Sequence, residues 1–169
     1  MRKLTMCCAA AAAGVLLAAS ASAASASDGG GWRPTHTDPF EFPAGALCPF
    51  GLKGDILYDR EYTRVTASYP DGSPRIEEFT GPLGIRFHNE ANGKAIDRDV
   101  TGFTRLLHQE DGSRVFSLWG NSVAPIYPGT GVAGDYVTHG YFVLVVHADK
   151  SREYTVRQGE SEDICRTLA

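Results

Sequence analysis

The chain has 169 residues, with 16 basic and 20 acidic side chains and a formal net charge of −4. A net negative surface repels phosphate backbones, so the composition argues against nucleic acid or another anionic polymer as the main partner. The length suffices for one domain with a hydrophobic core. Composition alone names no substrate.

The N-terminus has the layout of a secretory signal peptide at residues 1–26. Residues 2–3 are basic, residues 9–19 are small and apolar, and residues 19–26 read ASASAASA. This last run offers three cleavage sites, after Ala21, Ala23 or Ala26. The apolar run is shorter than the roughly 18–20 residues of a membrane-spanning helix, so we expect a secreted, extracellular chain without a stable membrane anchor.

Cleavage of the signal peptide would leave two of the four cysteines in the chain. Cys7 and Cys8 leave with the signal peptide, while Cys48 and Cys165 remain. Neither remaining cysteine belongs to a Cys-x-x-Cys redox motif, and export exposes both thiols to an oxidising compartment, so a Cys48–Cys165 disulfide is predicted. Cleavage also removes two basic and no acidic residues, which brings the net charge to −6.

Residue pairs typical of turns divide the rest of the chain into short segments. Residues 27–44 are rich in Gly, Pro and Asp and are predicted to be a flexible lead-in, with Phe40 and Phe42 able to pack onto a single β domain at 45–169. Asp-Gly, Asn-Gly and similar pairs then recur about every ten residues, which is typical of consecutive antiparallel hairpins. The strands predicted between them are 55–59, 61–69, 75–80, 85–90, 94–100, 103–109, 114–121, 136–149 and 152–158.

This rhythm predicts an all-β fold, an antiparallel meander of eight to nine strands. A meander that long has exposed edges unless it closes, which favours a small barrel, lipocalin-like in outline, with room inside for side chains or one small ligand. A two-sheet β-sandwich is the alternative. The disulfide fits the barrel, because closure makes the two ends of the meander neighbours.

The strand at 136–149 is apolar on both faces, so we expect it to be central. A longer loop at 122–135 precedes it, and its Gly-rich part, GTGVAG at 129–134, is interpreted as a flexible loop that could cover a barrel mouth. The aromatic residues in and around these segments that an interior ligand would contact are Trp119, Tyr127, Tyr136, Tyr141 and Phe142. Plain core packing is the competing interpretation for each of them.

Motifs of catalysis and metal binding are missing from the sequence. There is no Gly-x-Ser-x-Gly elbow, and GTGVAG at 129–134 leads into a strand and carries no lysine. His139 and His147 share a strand face but are about 26 Å apart along it, too far to share a metal ion. We therefore predict no catalytic residue, no metal and no cofactor.

The segments AGALCPF at 44–50 and GESEDICRTLA at 159–169, with ANGK and EDGS between them, carry a resemblance. The chain resembles a group of uncharacterised exported bacterial proteins with an export signal, a Cys-x-Phe segment, a run of hairpins and a closing Asp-(Ile or Val)-Cys-x-x-Leu. The matching positions are Cys48, Phe50, Asp163, Ile164, Cys165 and Leu168. The resemblance implies the disulfide and an all-β fold, and it implies no activity.

Together these features favour a secreted, monomeric, noncatalytic binding domain for a small apolar ligand or for an extracellular or envelope partner. Two alternatives stay open. One is an exported hydrolase-like enzyme whose site has no sequence signature, and the other is a cell-envelope interaction protein with an exposed apolar patch.

Overall fold

The computed structural model describes residues 31–129 and 132–169, so the predicted signal peptide lies outside the described residues. The described strands are β1 (Arg33–Thr35), β2 (Phe40–Phe42), β3 (Leu52–Asp59), β4 (Glu61–Ser68), β5 (Pro74–Gly81), β6 (Leu83–Asn89), β7 (Ala95–Asp99), β8 (Gly102–His108), β9 (Arg114–Ile126), β10 (Gly134–Val146) and β11 (Arg152–Asp163). A short helix, α1 (Ile164–Leu168), follows them. The nine predicted strands correspond to β3–β11, and the all-β prediction is confirmed.

The strands form two antiparallel sheets. The larger sheet has seven strands in the order β1-β4-β5-β8-β9-β10-β11, and the smaller has four in the order β2-β3-β6-β7. No ladder among the described strands closes either sheet, so the predicted closed barrel is not found; β1 and β11 remain the edges of the larger sheet.

Two very short connections explain why the chain does not run as a simple meander. Arg60 alone separates β3 from β4, and Pro82 alone separates β5 from β6. A hairpin within one sheet needs a loop of at least about two residues, so at these points the chain turns a corner into the other sheet. The Arg60 amide donates to the Pro82 carbonyl oxygen at 2.8 Å, which ties the two corners together.

The segment expected to be a flexible lead-in is partly ordered. β1 pairs with β4 and β2 pairs with β3, each as a three-residue edge strand. Phe40 and Phe42 pack against the main core, as the sequence suggested. These strands are too short to show a period of two, which is why the sequence pattern missed them.

The main core lies between the smaller sheet, α1 and part of the larger sheet. Its buried members are Leu47, Cys48, Phe50, Leu52, Leu83, Ile85, Phe87, Val100, Ile164, Cys165 and Leu168. Val123 of β9 and Val137 of β10 pack against it from the larger sheet.

The predicted disulfide is present inside this core. Its sulfur atoms are 2.02 Å apart, and it joins residues separated by 117 positions. In the entropic model a loop of that size restricts the unfolded chain by about 4–5 kcal/mol. α1 begins beside the bridge, where the Asp163 side chain accepts a hydrogen bond from the Arg166 amide at 3.2 Å. Among the described residues, no helix has the length and apolar character needed to cross a membrane.

Five glycines line up across five neighbouring strands of the larger sheet. This glycine row consists of Gly81, Gly102, Gly120, Gly140 and Gly159, each paired in register with the next. Gly140 and Gly159 have φ values of 131° and 146°, which side-chain-bearing residues rarely adopt. A Cβ at Gly159 would lie 2.0 Å from the carbonyl oxygen of His139, so the backbones approach too closely for any side chain.

The sheet folds back on itself across this row. Arg152 pairs with Val146 and Pro125 pairs with Asp135, two positions on β10 that would be about 36 Å apart on a straight strand. Nevertheless the Arg152 Nη1 atom donates to the Pro125 carbonyl oxygen at 2.8 Å. The fold brings together a second core, formed by Leu118, Ala124, Ile126, Phe142, Leu144 and Val146.

Replacing a glycine in the row should destabilise the fold. We expect Gly159→Ala to lower the free energy of unfolding by about 3 kcal/mol or more, because the Cβ adds a backbone clash to an unfavourable φ. Gly112→Ala is the matched control, since Gly112 also has a positive φ of 82° but no atom within 4 Å of the new Cβ. We expect about 1 kcal/mol for the control in urea unfolding with the disulfide intact, and equal losses in the two variants would contradict the role of the row.

Candidate ligand-binding cavity

A cavity of about 430 Å³ lies in the fold of the larger sheet. Its apolar and aromatic wall consists of Ile126, Val132, Tyr136, Phe142 and Tyr154. Its polar wall consists of Arg152, Glu153, Arg157, Ser161, Asp163 and Arg166. The lining therefore combines residues from both sides of the glycine row, and the cavity exists because the sheet bends there.

Aromatic rings pack against each other on the apolar side of the cavity. The Phe142 side chain is 1% exposed, and its ring meets the Tyr154 ring edge-on with centroids 5.7 Å apart. The Tyr136 hydroxyl donates to the Val132 carbonyl oxygen at 3.0 Å, which holds the end of the preceding loop against β10. Burial, helped by Asp163, raises the pKa of Tyr136, so this hydroxyl stays protonated at neutral pH.

Guanidinium groups cover the polar side. The Arg157 guanidinium lies 5.1 Å from the centre of the Tyr154 ring. The Arg152 guanidinium lies 4.6 Å from the centre of the Tyr127 ring while one of its nitrogens reaches the Pro125 carbonyl oxygen. Both contacts are cation–π interactions, which fix the planes of the guanidinium groups and leave some of their N–H groups directed elsewhere.

Three buried polar groups beside the cavity lack hydrogen-bond partners in the described part of the chain. They are both carboxyl oxygens of Asp135, the Nε atom of Arg152 and the hydroxyl of Tyr154. Asp135 is 1% exposed and does not itself line the cavity, but its charge acts on Arg152, Tyr154 and Asp163, which do. A buried polar group without a partner costs about 1–3 kcal/mol, so this cluster destabilises the fold beside the cavity.

Burial shifts the titration of this cluster. Desolvation raises the pKa of Asp135 to about 7, with Arg152 opposing the rise and Asp163 adding to it. The pKa of Tyr154 is raised well above its usual range, mainly by burial and further by the Asp135 charge. The carboxyl group of Asp135 therefore changes charge near neutral pH, directly behind the cavity wall.

The structure divides the five aromatic residues that the sequence singled out. Tyr136 and Phe142 line the cavity. Tyr127 lies at the main core, with its ring 6.3 Å from that of Phe42. Trp119 and Tyr141 lie on the outer face of the sheet, where their rings are 5.1 Å apart. Tyr141 and Phe142 are consecutive residues on one strand, so only one of them can face the cavity.

The outer aromatic rings form a stack. The Trp119 ring is 5.1 Å from that of Tyr141 and 5.5 Å from that of Phe103, and the three residues occupy adjacent strands. Rings this close, on strands about 4.8 Å apart, pack against one another and present mainly their edges to solvent. Their contact stabilises the sheet and does not make a flat platform for a ligand.

Sequence reasoning missed the polar wall of the cavity. Arg152, Tyr154 and Arg157 lie on β11, which was predicted as a strand but not as part of a site. Asp135 was placed in a loop, whereas it is the second residue of β10. An acidic residue directly before an apolar strand was the one available signal. No group of three His, Cys, Asp or Glu side chains that could hold a metal ion occurs within 31–129 and 132–169.

Asp135 should make the protein less stable as the pH rises. Its folded pKa is about 7 and its unfolded value is 3.8, so the folded state holds the proton between these values. The contribution of Asp135 to the free energy of unfolding therefore falls between about pH 4 and pH 7, by up to about 4 kcal/mol, and changes little outside that range. We expect Asp135→Asn to remove this fall, so that the variant gains stability over the wild type between pH 5 and pH 9 in urea unfolding.

Asp111→Asn provides the control with the opposite sign. Hydrogen bonds from Ser113 lower the pKa of the Asp111 carboxyl group in its exposed turn. This variant should lose stability at neutral pH and match the wild type at low pH. A parallel pH profile for the wild type and Asp135→Asn would show that Asp135 is ionised and solvated in the folded state.

Comparison of the chain with protein-family models, with curated proteins and with solved structures finds no match. The resemblance to exported bacterial proteins therefore stays a prediction. A fold does not by itself specify an activity, so the function is argued from the cavity and its chemistry.

Proposed function

We propose that this chain is a secreted, noncatalytic binding domain that holds a small, largely apolar ligand in the cavity of its folded sheet. One observation carries the proposal: the cavity has an apolar, aromatic wall on one side and a wall of charged and polar side chains on the other. Ligand sites typically have about 300–1,000 Å³, and this cavity lies in that range. Its lining is more polar than that of a typical site, because charged and polar side chains form one of its two walls.

Two further features support the extracellular part of the proposal. The Cys48–Cys165 disulfide is consistent with an oxidising compartment, and the predicted signal peptide would deliver the chain to one. A disulfide inside the main core also suits a protein that has to survive outside the cell.

We infer that the two sheets form a sandwich-like arrangement with the cavity at one end of the larger sheet. The main core, to which Val123 and Val137 of the larger sheet and Ile85 and Phe87 of the smaller sheet contribute, supports the packing of one sheet on the other. The cavity lies on the opposite side of β9 and β10, with the second core. Ligand binding and sheet packing therefore use different faces of the same strands.

A second candidate function, a cell-envelope interaction, is favoured by the outer face of the larger sheet. Trp119 is 39% exposed and Tyr62 is 43% exposed, and both lie in the row of residues that contains Phe103 and Tyr141. Exposed aromatic residues in one row are more common at interaction surfaces than elsewhere on a soluble domain.

Titration with the neutral fluorescent dye Nile red tests the cavity. We expect saturable binding to the wild type, and a loss of at least about tenfold in affinity for Ser161→Trp, because the indole fills the cavity. Gln158→Trp is the matched control, since Gln158 lies on the same strand but pairs with Tyr141 on the outer face. This control should bind the dye like the wild type.

Trp119→Ser separates the two candidate functions. A dye that enters the cavity is unaffected by this change on the outer face. If Trp119→Ser abolishes dye binding and Ser161→Trp does not, the outer face is the binding site and the cavity proposal is wrong.

A further inference from the structure

We infer that the cavity selects an organic anion, a molecule with an apolar or aromatic body and one carboxylate, sulfonate or phosphate group. This inference rests on the proposed function and specifies its ligand. It is drawn from the charged groups that line the cavity. These are three guanidinium groups and two carboxylates.

The guanidinium groups are available. Arg157 contacts the face of the Tyr154 ring, and neither it nor Arg166 has a carboxylate within ion-pair distance in the described structure. Both are close enough to the Tyr136 hydroxyl to oppose the rise of its pKa, so both charges lie around the same point of the wall. Arg152 adds its positive charge to the same wall, although its guanidinium group is already bound to the Pro125 carbonyl oxygen and stacked on the Tyr127 ring.

Each of the two carboxylates in the polar wall already has a hydrogen-bond or ion-pair partner. Glu153 is 3.1 Å from the His147 ring, and its side chain is 56% exposed. Asp163 accepts a hydrogen bond from the first turn of α1, at the Arg166 amide. Three guanidinium groups thus line the cavity with two carboxylates that each have a partner already, so hydrogen-bond donors and positive charge are in excess along this wall.

Asp135 is the remaining carboxyl group near the cavity. Arg152, Tyr154 and Tyr136, with Asp163, are the titratable groups around it. Because burial disfavours its charged form, it is mostly neutral at about pH 6 and then does not repel an anion. A protonated carboxyl group can also donate a hydrogen bond.

These groups match a defined ligand chemistry. A carboxylate, sulfonate or phosphate oxygen accepts charge-assisted hydrogen bonds from guanidinium groups, which are about twice as strong as neutral ones. The body of the ligand would lie against Ile126, Phe142 and the Tyr154 ring. An inorganic anion lacks that body and should bind weakly.

The test compares an anionic and a neutral probe at about pH 6. The anionic probe is 1-anilinonaphthalene-8-sulfonate and the neutral probe is Nile red. We expect Arg157→Gln and Arg166→Gln each to weaken binding of the anionic probe by about tenfold while leaving Nile red affinity within about twofold. Arg75→Gln is the matched control, because Arg75 is also an exposed arginine near a tyrosine ring, but it lies at the start of β5 and does not line the cavity.

The outcomes separate this inference from the proposed function. If both arginine variants bind the anionic probe like the wild type, the anion preference is wrong, while retained Nile red binding keeps the cavity proposal. If the wild type binds neither probe, both are wrong. Sodium sulfate that displaced the anionic probe as effectively as an unlabelled naphthalene sulfonate would show an inorganic anion site and would also overturn the inference.

Discussion

The close approach of backbones at the glycine row is the constraint on which the larger sheet depends. A Cβ at Gly140 or Gly159 would lie 2.3 Å or 2.0 Å from a carbonyl oxygen of the neighbouring strand. Glycine is the only residue that permits this contact at these φ values. The same contact folds the sheet, and the fold creates both the second core and the cavity. One row without side chains thus determines where the larger sheet encloses the second core and the cavity.

The region of the cavity combines apolar burial, which stabilises the fold, with buried polar groups that destabilise it. The second core buries Phe142, Leu144 and Val146, and each buried aliphatic or aromatic side chain contributes about 1.5–3 kcal/mol. Beside it, the unpartnered groups of Asp135, Arg152 and Tyr154 cost about 1–3 kcal/mol each. A protein selected only for stability would replace them with apolar side chains. Local departures from the most stable arrangement are more common near functional sites than in cores that only stabilise the fold.

The strands and the disulfide could be predicted because their signals are local. Turn pairs mark strand ends, and the compartment together with the cysteine count identifies Cys48 and Cys165. The division into two sheets was not predictable in this way, because TGPLG has the composition of a hairpin turn, whereas Pro82 is a corner between sheets. The glycine row could not be predicted either. No local sequence signal marks its members, and they become neighbours only through the register of five strands. The cavity residues were found only in part, since strand alternation assigns Phe142 to the interior and Tyr141 to the exterior only once the covered faces are known.

The way α1 joins the core has a consequence for folding kinetics. The Leu168 carbonyl oxygen accepts hydrogen bonds from the side chains of Asn89 and Asn92, each at 3.0 Å, across sequence separations of 79 and 76 residues. Ile164 and Leu168 are fully buried in a core whose other walls are made from β3, β6 and the segment before β3. That core cannot be completed until the residues that follow all eleven described strands have arrived. Contacts this distant in sequence slow folding, because loop closure has to precede the stabilising contacts. The main core can therefore be completed only after nearly the whole chain has been synthesised, and the buried residues of β3 and β6 lack their C-terminal packing partners until then.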